Sequence, residues 1–336
     1  MEIIPNTHIY SMNFGGLPYK TKQFFFVLIK LSIVVGAFYF IYNKLANNQD
    51  LDFHDFIQYL SHNGVFSIKN VSILLFLTIF NWFFEILKWK TLISYIKTIS
   101  FKNAFEQSLG ALTASLFTPN RIGEYGAKAI YFNSEIRKKV MLLNLTGNMM
   151  QMTVTVIFGS IGLLLMHSTY DMNINYFRIT KLLLIVIVML GFAIFGLQQD
   201  RFKIKGFSLE KLKSFFKELP LTIELTAFGL SILRYLIFSF QFYFLLHSFG
   251  IDLTYFNAMM VITSMYLLSS VIPSIFIFDV IIKGSVAVYL FSMVGVDEFT
   301  TLSIIMIMWL LNFVLPSIFG SYYVLNFNLP KTENSL

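Results

Sequence analysis

Apolar residues fill this chain in runs long enough to cross a lipid bilayer, and no polar block between them could hold a soluble domain. The runs fall at roughly 22–45, 69–96, 103–133, 139–166, 179–198, 221–249, 256–293 and 299–326. The third and the seventh are interrupted by proline and charge. Backbone in hydrocarbon must satisfy its own hydrogen bonds, so such runs fold as helices or close into a barrel. With 56% hydrophobic and 13% charged residues and a mean hydropathy of +0.69, the expected fold is all-α. It is a polytopic helical membrane protein with a single transmembrane domain over 1–336. The polar start, up to Thr21, shows no cleavage site after the first apolar run, so that run is expected to be an anchor.

Several kinds of chemistry are excluded early. Cysteine is absent, which removes disulfides, thiolate metal sites and Cys nucleophiles. His8, His54, His62, His167 and His247 have no metal-ligand spacing, and no nucleophile elbow, phosphate-binding glycine loop or dinucleotide fingerprint occurs. No metal, cofactor, nucleic-acid partner or catalytic residue is expected, and without an ATP-binding loop any transport must be downhill or ion-driven.

Loop charges set an orientation. Asp50, Asp52 and Asp55 follow the first run, and Lys88, Lys90, Lys97 and Lys102 cluster after the second. Basic loops stay cytoplasmic, so both termini are expected inside. The segment 103–133 is then anomalous, because Arg137, Lys138 and Lys139 make its far flank basic too. Its limbs, about 16 and 12 residues, would rise only ~24 and ~18 Å, short of a ~30 Å core. A re-entrant hairpin entering from the cytoplasm and turning at Thr118-Pro119-Asn120 answers both facts. The run 256–293, flanked by Asp252, Asp297 and Glu298, reads as a hairpin from the outer face, although its second limb could just span.

The result is an inverted repeat: a first half over 22–198, a basic amphipathic linker over 199–219 and a second half over 221–326. ISFKNAF at 99–105 and IDLTYFN at 251–257 lead into the two hairpins alike. Repeats of this kind, with broken helices meeting near the midplane, are a transporter architecture. In the linker, Leu209, Leu212, Phe216 and Leu219 form one face and lysines the other, capped by Ser208, as in a helix lying on an anionic leaflet.

Charge inside the interrupted runs marks the candidate site. In TPNRIGEYGAKAIYF, Arg121, Glu124 and Lys128 follow Pro119 and Gly123, and in VIPSIFIFDVIIKG, Asp279 and Lys283 follow Pro273. Each such charge costs about 2.5–3.5 kcal/mol on insertion scales. Glu124 and Lys128, four apart, share a helical face, as do Asp279 and Lys283. They read either as a head-group lining, with the cations holding phosphate, or as internal salt bridges. Arg234 lies deep in the run 221–249 and is expected to find a charge partner in the bundle, Asp279 or Glu124. Glu85 is expected to pair with Lys88 at the interface. Asn144, Asn148 and Gln151 form a stripe that serves either helix packing or a polar path beside the first hairpin. Asn312 and Pro316 resemble a kink with polar support.

PNRIGEYGAKAIYF resembles the Pro-x-Arg-hydrophobic-Gly-Glu motif, followed by a basic residue, of the lysylphosphatidylglycerol synthase transmembrane family, a flippase-like domain. EILKWKTLI at 85–93 is similar to that family's Arg-Trp-Arg-Leu-Leu segment, and SILRYLIFSFQFYFLLHSFGI at 231–251 to its helix in the second half. The second hairpin departs from the family's glycine-rich stretch ending in Arg-Glu and reads IFIFDVIIKG. The resemblance implies a stand-alone member without the aminoacyl-transfer domain, and so without synthase activity. The expected function is movement of an anionic phospholipid or polyprenyl-phosphate-linked lipid between leaflets of the inner (cytoplasmic) membrane. The alternatives are an intramembrane enzyme, or an accessory subunit of a lipid-modifying enzyme partner.

Overall fold

A computed structural model describes residues 67–116, 118, 122–170, 209–271 and 279–328, with 32, 35 and 39; for 209–213, 271 and 279–283 only the backbone is described. Every regular element among them is helical. In chain order these are α1 (Ile68–Ile93), α2 (Phe101–Ser115), α3 (Gly123–Ala129), α4 (Arg137–Thr169) and α5 (Leu209–Glu218). They continue with α6 (Leu221–Ser248), α7 (Tyr255–Val271), α8 (Asp279–Ser292), α9 (Glu298–Trp309), a π-helical turn (Leu310–Val314) and α10 (Leu315–Asn326). The apolar runs at 22–45 and 179–198 lie outside the described residues, apart from three helical positions in the first.

Four helices are long and apolar enough to cross a membrane: α1, α4, α6 and the composite Glu298–Asn326. The shortest has 26 residues, about 39 Å of rise, ample for a ~30 Å core. The interrupted runs yield shorter pieces. α2 and α3 have 15 and 7 residues, and α7 and α8 have 17 and 14, so each falls short of that thickness.

Packing between the halves is reciprocal. α1 packs along α6, α4 along α7, and α10 along α2, so the long helix after each interrupted run lies on the first helix of the other interrupted run. Small residues allow the approach. A Cβ on Gly320 would collide with the Leu109 carbonyl, and one on Gly162 with the Thr263 hydroxyl. Thr113 Oγ1 donates to the Ser317 carbonyl (2.9 Å) across the first of these contacts. Without a hydrophobic drive between helices in lipid, such close backbone contact supplies the association energy.

The segments leading into the two interrupted runs share a cap as well as a pattern. Ser100 Oγ accepts from the Asn103 amide at 3.1 Å, and Thr254 Oγ1 from the Asn257 amide at 3.3 Å. Aligned on these caps, SFKNA faces TYFNA, two residues out of step from the alignment by leading isoleucine. In the capped register Ser100 precedes Pro119 by as many residues as Thr254 precedes Pro273.

Two cores form, each drawing chiefly on one half: Ala227 of α6 joins the first, and Leu74 and Met166 join the second. The first gathers Ile86, Trp89, Leu112, Val140 and Leu143, and the second Phe242, Leu245, Ala258, Val261 and Phe291. Phe215 and Leu219 of the linker insert into the first core, with Phe215 edge-on to Tyr95 (5.8 Å), so α5 is docked on the bundle. The buried position is Phe215; Phe216, expected on the apolar face, is only half-buried. Exposed side chains such as Phe76, Ile79, Ile161, Leu164, Leu225 and Phe319 make the outward faces apolar, as a lipid-facing surface requires.

In the last span, Pro316 lacks the N–H that would bond the Asn312 carbonyl, and the helix widens to a π turn just before it. Trp82 Nε1 of α1 donates to that carbonyl at 3.1 Å. The Asn312 side chain accepts from Asn81 Nδ2 (2.8 Å) and donates to Gln241 Oε1 (3.0 Å). The expected kink with polar support is therefore a three-helix junction.

Candidate functional site

The site is built from α1 outward. Asn81, Glu85 and Lys88 lie at helical spacing on one stripe of an otherwise apolar helix, and all are buried. Glu85 Oε2 meets Lys88 Nζ at 2.7 Å and Arg234 Nη1 of α6 at 2.8 Å. Arg234 also donates from Nε to Asn81 Oδ1 (3.2 Å) and from Nη1 to Gln151 Oε1 (3.5 Å). The partner of Arg234 is thus Glu85 and not Glu124; the Asp279 side chain lies outside the described residues. Glu85 does pair with Lys88, and both side chains are buried within the bundle.

Facing this stripe is the short helix α3. Glu124 and Lys128 occupy successive turns and pair at 2.9 Å. Lys128, 2% exposed, donates to Asn144 Oδ1 (2.8 Å) and lies 4.4 Å from the centre of the Trp89 ring. That indole is fixed in turn by donating to Gln107 Oε1 at 2.8 Å. Thr118 supports the start of α3, its hydroxyl accepting from the Gly123 amide at 3.0 Å. A Cβ on Gly123 would press within 2.9 Å of the Thr118 methyl, so glycine suits that turn.

Between α1, α2, α3, α4 and α6 lies a polar cavity of about 30 Å³, lined by Trp82, Glu85, Ser108, Glu124, Lys128, Asn148 and Arg234. That is room for a water or two and too little for a lipid head group. Three cations, Lys88, Lys128 and Arg234, stand against two carboxylates, Glu85 and Glu124, so the described cluster carries one excess positive charge. Left unpaired, five such charges would cost on the order of 15 kcal/mol in the bilayer. Pairing at an effective dielectric near 20 returns about 4 kcal/mol per contact at 4 Å.

The site therefore joins Glu124, Lys128 and Arg234, with Asn148 on the wall and Asn144 and Gln151 bonded to its cations. Asn148 Nδ2 also donates to Tyr125 Oη (3.0 Å), so two residues of the stripe face α3, while Gln151 meets α6. Arg121, Pro119 and Pro273 lie outside the described residues. Asp279 and Lys283 begin the helix α8, whose first turns are described by backbone alone. Sequence reasoning missed Asn81, Trp82, Gln107, Ser108 and Gln241. For Asn81 a signal existed, since it forms with Glu85 and Lys88 the kind of stripe that singled out Asn144, Asn148 and Gln151.

A helical membrane bundle with an ion-paired polar cavity beside the short helix α3 defines the class. Residues 27–320 match the family described as the Lysylphosphatidylglycerol synthase TM region, and the chain belongs to that family. Membership gives it a membrane-lipid context and covers nearly the whole chain. No curated protein and no solved structure matches it.

Proposed function

We propose that this protein moves a phosphate-bearing lipid between the leaflets of the cytoplasmic membrane without altering it chemically and without ATP. The observation that carries the reading is the charged cluster at the cavity, where Lys128 and Arg234 line the space with Glu85 and Glu124, and Lys88 behind them brings the cations to three against two carboxylates, supplied by helices of both halves. A monoanionic head group would neutralise it, and Lys128 and Arg234 offer donors suited to phosphate oxygens. In this reading α2–α3 and α7–α8 are hairpins dipping from opposite faces, supported by the short helices α2 and α3 and by the basic and acidic flanks of the two segments. The halves then form an inverted repeat with cytoplasmic termini, and the reciprocal packing of α10 on α2 and α4 on α7 supports that symmetry.

The cavity volume implies a closed arrangement. To admit a head group, α2–α3 must part from α1 and α4, exchanging the Glu124–Lys128 and Lys128–Asn144 contacts for contacts to phosphate. Acyl or prenyl tails stay in lipid along the apolar outer faces. Arg121, adjacent in sequence, would add a further cation. The test is translocation of fluorescent phosphatidylglycerol by the purified protein in vesicles. The double variant Glu124→Gln with Lys128→Met keeps a neutral, similar-sized pair, and we expect its rate to fall more than tenfold while the protein stays folded. An unchanged rate in that variant and in Arg121→Ala would overturn the proposal.

A further inference from the structure

We infer that Ser108, on α2, is the residue that hydrogen-bonds the ligand's phosphate oxygen in this cavity, setting specificity where the cations set charge. The inference rests on the reading of the cavity as a phosphate site. Ser108 lines the cavity beside Lys128 and Arg234, is 3% exposed, and its Oγ has no hydrogen-bond partner among the described residues. Buried hydroxyls elsewhere in these helices satisfy themselves by donating back to their own helix. Ser115 does so to Leu112 O, Thr146 to Leu142 O, Ser231 to Ala227 O, Ser264 to Met260 O and Ser321 to Ser317 O, at 2.7–2.9 Å. That local bond is the default for Ser and Thr in apolar helices. Ser239 and Ser303 also lack partners, but neither lines the charged cavity.

A hydroxyl without a bond to its own helix, lining a space that two cations and two carboxylates already paired with them border, is a donor available to an entering anion. Alone it would bring too little charge to bind one, and the cations alone would take any anion of suitable size. A hydrogen bond from a neutral donor to a charged oxygen is among the stronger kinds, and losing it costs about tenfold or more in affinity. Because no protein partner is lost, Ser108→Ala leaves the protein's own stability unchanged or slightly raised. A structural serine would behave in the opposite way.

The experiment measures thermal unfolding of the full chain in detergent, titrated with short-chain phosphatidylglycerol and, separately, with inorganic phosphate. Wild-type protein is expected to be stabilised by the lipid, and Ser108→Ala to need at least tenfold more of it for the same shift. Should inorganic phosphate alone stabilise the wild type, with Ser108→Ala losing that shift, the serine's role stands and the lipid reading falls. The inference is overturned if neither ligand stabilises the wild type, if Ser108→Ala binds as well as wild type, or if that variant unfolds earlier without ligand.

Discussion

In the register set by the Ser100 and Thr254 caps, Asn81, Glu85 and Lys88 of α1 correspond to Tyr235, Ser239 and Phe242 of α6. All six positions are buried, so the two helices turn the same stripe inward. In the first half the stripe is ionic. In the second it is neutral, with Tyr235 stacked on Phe158 (5.2 Å) and Phe242 on Phe291 (5.2 Å). Backbone approach at Gly320 and Gly162 is alike in the two halves, whereas of these two stripes only the one on α1 is charged. The architecture thus asks only for small residues and matched caps, and the ionic cluster is an added requirement of whatever the cavity holds. Arg234 is the exception that joins the halves, reaching from α6 into the first half's cluster.

The comparison breaks most easily at Glu85. Glu85→Ala leaves Arg234 and Lys88 buried without their carboxylate and should cost about 3–5 kcal/mol, read as a large fall in thermal stability. Adding Arg234→Met should recover part of the loss, because the pair is removed together. Next in size are the glycine contacts: Gly320→Ala and Gly162→Ala should each cost about 1–3 kcal/mol by forcing helices apart, whereas Gly229→Ala, with open space around it, should cost nothing. A loss at only one of the two contacts would show that the halves are not held alike. Smaller again is Asn312→Ala, which removes the side-chain link to Asn81 and Gln241 and is expected to cost about 1 kcal/mol, with Trp82 still capping the carbonyl. Least of all should be Ser239→Ala, within about 0.5 kcal/mol, because this counterpart of Glu85 holds no charge in place. An effect at Ser239 as large as that at Glu85 would erase the distinction between the halves.

Much of the fold was legible because its causes are local. Length and hydropathy placed α1, α4, α6 and the last span within a few residues, and Pro119, Pro273 and the flanking charges marked the two interrupted runs. Glu124 with Lys128, and Asn144 with Asn148, were legible because helical periodicity alone puts them on shared faces. The partner of Arg234 was not, because Glu85 lies far off in sequence and only the packing of α1 on α6 brings them to 2.8 Å. Trp82 and Ser108 escaped for a related reason. One looks like any interfacial aromatic and the other like any small residue in an apolar helix, until a freed carbonyl and a polar cavity are set beside them.

What the sequence determined by itself is the membrane setting, the helical class and the presence of charge that hydrocarbon does not tolerate unpaired. Those follow from the transfer cost of each side chain, a property of the residue and its near neighbours. Only the tertiary structure decided which charges meet, that three cations share two carboxylates, and that the space between them is about 30 Å³. Coulomb energy and hydrogen bonds depend on separations of a few ångströms between residues from five helices, and no spacing along the chain encodes those distances.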